Sequence, residues 1–244
     1  MLSRTVVGTL ALAATLLGAA RGGEPREKTK VLVVWGGHGF ERDPFFALFK
    51  ANPGITHTEG KHDKTATGYN RDDLLDHDVV VLYDFWQKIT DEEKKKFLSL
   101  FDKGVGLVVL HHALANFQDW PEFEKAAGGK FLLRPETRDG REIPKSGTGG
   151  GELSLHVESR DHPVTRDMED FKLQDEFYNA CLVSPDVKVL LTTDHPKNQK
   201  QVAWCREQGK SRVVYIMSGH DRKVYGHPSF RQLLANAIRW AARK

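Results

Sequence analysis

Val105-Gly106-Leu107-Val108-Val109-Leu110-His111-His112-Ala113 is an apolar run that ends in two histidines. A continuous apolar stretch of strand length beside glycine reads as a strand buried on both faces, the kind that parallel sheets contain. In open α/β sheets ligands bind just beyond the carboxyl ends of such strands. His111 and His112 therefore stand where chemistry is commonly done.

Upstream, Lys30 to Trp35 repeats the pattern and runs into the turn Gly36-Gly37-His38-Gly39. A helix can start at Pro44, because proline suits the first turn, where its missing N–H costs nothing. Asp78 to Tyr83 is another buried strand, and Thr90-Asp91-Glu92-Glu93 is a capping box opening a helix to about Lys103. The order β-α-β-α-β implies a parallel sheet covered on both faces, a doubly wound α/β fold. Downstream, polar, glycine-rich Arg134 to Gly151 reads as a mobile surface loop or lid. Strands are then expected over Glu152 to Glu158, Val187 to Thr192, Gln201 to Cys205 and Arg212 to Met217. A last helix carries Phe230, Leu233, Leu234, Ala237, Ile238 and Ala241 on one face.

Met1 to Ala20 has one basic residue, Arg4, an uncharged stretch from Thr5, and the small residues Gly18-Ala19-Ala20 before polar Arg21. These are the three regions of a secretory signal peptide, so 1–22 is expected to be removed and the product to be periplasmic or extracellular. The stretch falls short of the roughly 20 apolar residues that span a bilayer, so no stable membrane anchor is expected after cleavage. The remainder, 30–244, reads as one domain without internal repeats. The net charge of +3 drops to +1 once Arg4 and Arg21 leave with the signal, and no basic block offers a nucleic-acid footprint. Cys181 and Cys205 are the two cysteines, and whether they pair depends on a separation that sequence does not give.

Four segments place titratable residues at strand ends or in the loops that follow: Gly36 to Glu41, His111-His112, Asp175-Glu176-Phe177-Tyr178, and Ser218-Gly219-His220-Asp221. In a parallel sheet the loops after Trp35, Leu110 and Met217 open on one edge, which would let His38, His111 and His220 converge. Glu176 interrupts an apolar context, and a carboxylate there needs a histidine, arginine or metal partner. Glu41 and Arg42 read as a solvated pair, and His57, His62, His77, His156 and His195 as surface histidines. The turn after Trp35 lacks the G-x-G-x-x-G spacing of a dinucleotide site. No G-x-S-x-G occurs, and no cysteine follows the strand ending at Leu110. Histidine and carboxylate without a nucleophile favour general acid–base work or a divalent metal.

At these residues the chain resembles the ThuA-like, or trehalose-utilisation, family. The resemblance rests on Val31 to Phe40, Gly104 to Ala113, Trp120 to Phe123, Gly128 to Phe131, Asp161 to Thr165, Asp175 to Tyr178, Val202 to Trp204, Arg212 to Asp221 and Asn236 to Ala242. It implies a flavodoxin-like, mostly parallel α/β domain of the class I glutamine amidotransferase-like type. In amidotransferases of that fold the strand matching 107–110 leads into a cysteine on a sharp turn. Here His111-His112 stands there, which excludes amidotransferase chemistry, while His220 lies about where the fold carries its catalytic histidine. The resemblance also implies a role in bacterial carbohydrate catabolism.

The expected function is a secreted enzyme acting on glycosides or keto-sugar derivatives. His111 and Glu176 are the base and acid candidates, with His220 as partner. His38, Trp86, His112, Tyr178 and Asp221 are the substrate-contacting candidates. His38, His111, Glu176 and His220 are the candidate ligands for a divalent metal, zinc by the nature of the donors. The alternative is a non-catalytic carbohydrate-binding module.

Overall fold

The computed structural model describes residues 27–244, so the signal-peptide reading lies outside the described residues. Five strands form the parallel half of a nine-stranded sheet: β1 (Thr29–Gly36), β2 (Ile55–Lys61), β3 (Val79–Asp84), β4 (Gly106–Leu110) and β13 (Ser211–Ile216), in the order β2-β1-β3-β4-β13. Val31–Val34, Val79–Leu82 and Leu107–Leu110 are fully buried at every position. Burial of odd and even residues alike requires cover on both faces, since side chains alternate across a strand. That cover comes from α1 (Arg42–Lys50), α4 (Arg222–Tyr225) and α5 (Pro228–Ala241), and from α2 (Asp91–Lys103) and α3 (Pro121–Ala127).

Local chemistry sets the helix ends. Thr90 and Glu93 form the reciprocal capping box, and Gly104 closes α2 in the left-handed region at φ 82°. The apolar stripe of α5 is buried throughout. Gly106 has no side chain because a Cβ there would lie 2.5 Å from the carbonyl oxygen of Ala241, so α5 seats directly on β4.

The other half of the sheet is antiparallel. β12 (Gln201–Gln208), β11 (Lys188–Thr193), β8 (Gly147–Val157) and β9 (Phe171–Asn179) extend it in that order from β13. Two small ribbons complete the fold: β5 (Gly129–Lys130) pairs with β10 (Leu182–Val183), and β6 (Glu136–Arg138) with β7 (Arg141–Ile143). The sheet is thus mixed with a parallel core.

Several expectations change here. Arg134 to Gly151 is not a loose lid: it holds the β6–β7 ribbon, and its glycines begin β8, paired to β9 from Gly147 onward. Asp175 and Glu176 lie inside β9 rather than at a strand end. His62 and His77 are buried, not surface residues, and His62 Nε2 is 2.9 Å from Asp84 Oδ2. Glu41 pairs with Arg222 across the chain, and Arg42 with Glu59 at 2.7 Å, so these neighbours do not pair with each other. Both cysteines are free, Cys205 buried and Cys181 partly so. No described helix is long and apolar enough to cross a membrane.

Candidate active site

His111 is the first residue after β4 and opens a 3-10 turn over His111–Ala115. It adopts φ 50°, in the left-handed region that residues with a Cβ enter at a cost of order 1–3 kcal/mol. Its ring is fixed from two sides. Nδ1 lies 2.7 Å from the Met217 carbonyl oxygen, which accepts only, so Nδ1 carries a proton and Nε2 is the nitrogen turned inward. Tyr178 stacks on the ring at 5.1 Å between centroids.

The Nε2 atom of His111 faces Glu176 Oε2 at 3.2 Å and His220 Nδ1 at 3.3 Å, and those two lie 3.5 Å apart. The three residues come from distant parts of the chain. β9 stands four strands from β13, about 19 Å in a flat sheet at the usual strand spacing. Yet Asp175 Oδ2 accepts from the N–H of Gly219 at 3.0 Å, just beyond β13. The antiparallel wing therefore curls back over the carboxyl edge and delivers Glu176 to the histidines.

Asp175 fixes the turn that bears His220. Its carboxylate also accepts from the N–H of His220 at 3.1 Å and of Glu176 at 2.8 Å. Tyr83 donates to the Gly219 carbonyl at 2.7 Å, and Tyr225 reaches the His220 carbonyl at 3.1 Å. Both N–H and both C=O groups of Gly219 and His220 are thus held. Nothing in the sequence singled out Asp175 for this role over its neighbours.

Electrostatics divide the two carboxylates. Burial pushes Glu176 up, but the hydrogen bond and charge of His111, the charge of His220 and a hydrogen bond from the Thr148 hydroxyl outweigh it and hold the group below its ordinary value. Burial dominates at Asp175, which is raised despite His111 and three backbone donors. Burial, followed by the neighbouring His111 and His38, pushes His112 well below its usual range, so it stays neutral.

The remaining candidates fall in two places. Asp221 lines the cavity beside the triad, but its carboxylate caps α4 by accepting from the N–H of Lys223 at 2.8 Å. His38 is exposed and stacks on His112 at 4.6 Å, outside the triangle of His111, Glu176 and His220. His112 is buried with neither ring nitrogen partnered. Trp86 packs on His62 at 5.4 Å and against Gly37, and does not line the cavity beside the triad. The structure thus brings together His111, Glu176, His220, Tyr178 and Asp221, and sets His38, His112 and Trp86 in an adjoining group.

The sequence matches the ThuA family, described as trehalose utilisation, over residues 30–241. The chain belongs to the ThuA family. No curated protein sequence matches it. Among solved structures, a ThuA-like protein from Parabacteroides merdae ATCC 43184 is 20% identical, with a TM-score of 0.73, 88% of this chain and 90% of that one covered. A ThuA-like protein from Bacteroides uniformis ATCC 8492 is also 20% identical, with a TM-score of 0.65 and coverage of 91% and 95%. PurLQS from Thermotoga maritima is 15% identical, with a TM-score of 0.56 and coverage of 87% and 99%. At such identities the likeness shows the fold, and it is the class I glutamine amidotransferase-like fold. In this ThuA-family chain the strand-end position of β4 is taken by His111.

Proposed function

We propose that this chain is an exported enzyme of carbohydrate catabolism that acts on glycosides or their keto derivatives through His111, Glu176 and His220, with a divalent metal. The observation that carries the reading is the triangle of donor atoms. Ligand atoms about 2.0–2.1 Å from a tetrahedral zinc lie about 3.3–3.4 Å from one another. The three contacts here are 3.2, 3.3 and 3.5 Å. A ring nitrogen and an ionised carboxylate oxygen 3.2 Å apart require a proton or a cation between them. Two imidazoles and one carboxylate are also a common catalytic zinc set, with a fourth position left for water or substrate.

His111 Nε2, Glu176 Oε2 and His220 Nδ1 would hold the ion, and the bond from His111 Nδ1 to Met217 is the outer contact that fixes ring and tautomer. When bound, the ion would polarise a substrate carbonyl or acidify water. The Glu176 carboxyl stays ionised, so with Oε2 turned to the histidines its second oxygen is the base candidate for a C–H acidified by a neighbouring keto group. His220 is the most open member at 43% side-chain exposure, against 1% for His111, so substrate meets its side of the triangle. Neutral His112 keeps further positive charge away from His111.

The test is paired. His111→Asn should lower turnover of keto-glycosides by about 10²–10⁴-fold with little change in the melting curve. Deuterium exchange at the carbon beside the keto group, followed by NMR, should fall with it. A variant that melts much earlier yet keeps its rate per folded molecule would make His111 structural, whereas a parent protein that binds these sugars without turning them over would favour a non-catalytic binding module.

A further inference from the structure

A cavity of about 870 Å³ is lined from α3, β6 and the β5–β10 ribbon, and none of His111, Glu176 and His220 borders it. That is the size of a small-molecule site. Pro121, Leu182, Val183 and Pro185 give it an apolar wall. Its charges are matched unequally. At one end the Arg138 guanidinium lies between Glu124 and Glu136, with Nη2 2.7 Å from an oxygen of each. Glu136 also takes Lys130, so two carboxylates balance two cations there.

The other end is built on Arg206. Side chains alternate across β12, so Trp204 and Arg206 point to the same face. Trp204 Nε1 donates to the Ala127 carbonyl at 2.8 Å, which puts α3 over that face. Gly128 ends α3 in the left-handed region, and a Cβ there would lie 3.1 Å from Arg206 Cδ, so the bare backbone makes room for the arginine stem. Only 9% of the Arg206 side chain is exposed. Its Nη2 donates to Asp186 Oδ2 at 3.0 Å, while its buried Nε has no partner among the described residues. An arginine–carboxylate pair commonly closes with two parallel bonds. Here one is missing, because the Ser184 hydroxyl donates to the other Asp186 oxygen at 2.6 Å and holds it aside. A buried donor on a charged group is costly to leave unpaired. Lys125 lines the same cavity: with the Ser184 hydrogen bond foremost, the charges of Arg206 and Lys125 hold Asp186 below its ordinary value. Two cations thus face one carboxylate at this end.

We infer that this cavity binds a small organic monocarboxylate, whose carboxylate meets Arg206 Nε beside Lys125 and whose apolar body lies on Leu182, Val183 and Pro185. The ligand supplies the acceptor that Asp186 does not, and its single charge cancels the single excess. Inorganic phosphate would leave the apolar wall uncovered. The site is separate from the triad and independent of the carbohydrate reading.

NMR of the arginine Nε–Hε signals tests this on the full chain, with benzoate as probe and benzamide as a control of similar shape without the charge. Benzoate should shift one arginine signal saturably. Arg206→Lys should remove that signal and weaken binding at least about tenfold, as expected when one partner of a buried charge pair is lost. Asp186→Asn removes a like charge beside the ligand and should tighten binding by about threefold, the scale of an exposed charge interaction. His111→Ala should bind benzoate as the parent does. The parent's own signal and Asp186→Asn carry the test if Arg206→Lys does not fold. Absence of any arginine shift, or benzamide or inorganic phosphate binding as well as benzoate, would overturn the carboxylate site. So would a shift that His111→Ala abolishes, because benzoate would then be at the triad.

Discussion

The parallel half of the sheet and its antiparallel wing are built on different rules, and the candidate site belongs to both. In the parallel half, β1, β3 and β4 are continuous apolar runs sealed by helices, and their carboxyl ends are fixed by the core beneath them. The wing alternates: in β9, Leu173, Asp175, Phe177 and Tyr178 are buried while Lys172 and Gln174 are exposed. It ends in a glycine-rich hairpin without core on both faces. The half with the larger core supplies His111 and His220, and the wing supplies Glu176 and Asp175. The geometry of the candidate site thus depends on a docking between halves that neither specifies alone.

Leu110→Ala should give the largest loss. Leu110 is fully buried at the end of β4, and such truncations cost about 2–5 kcal/mol. Urea unfolding should show the whole molecule lowered, because both halves share this core. A loss confined to the site, with the global midpoint unchanged, would break the division of labour.

Gly149→Val should cost less, about 1–3 kcal/mol, since the added carbons collide with Phe177 and open the β8–β9 hairpin. Its effect on cation binding should exceed its effect on stability, because Glu176 rides on that hairpin. Equal zinc affinity in this variant and its parent would show that the wing does not set the triangle.

The effect expected to be smallest near neutral pH is a slope that develops on acidification. Burial, helped by Lys188 and Arg212, lowers His162 to about 4, against about 6.5 in an unfolded chain. Between these values the unfolded state binds more protons, so stability is full above about pH 6.5 and falls as pH drops toward 4. His162→Phe should flatten melting temperature across that window. An unchanged slope would assign the acid sensitivity to other groups.

The two halves also differ in how legible they were. Buried parallel strands announce themselves by composition, so β1, β3 and β4 and the capping box at Thr90 could be placed from sequence, and with them His111 and His220 near one edge. Glu176 stood out because a carboxylate among Phe171, Leu173 and Phe177 needs a partner, but its place inside a strand did not. The glycines of 147–151 have loop composition, and only the partner strand shows that packing against Phe177 selects the one at 149. Separating His38 and Trp86 from the triad required the actual path of the turns after β1 and β3. Asp175 differs from any other acidic residue only through the backbone donors it meets.

The central claim is that donors from the two halves form one cation site. Elemental analysis and zinc titration of the purified chain test it most directly, alongside His111→Ala, Glu176→Gln and His220→Ala. The account predicts one equivalent of divalent metal per chain, tight binding lost in each variant, and activity that falls with chelator and returns with zinc. A chain that carries no metal and keeps full activity in chelator would contradict it.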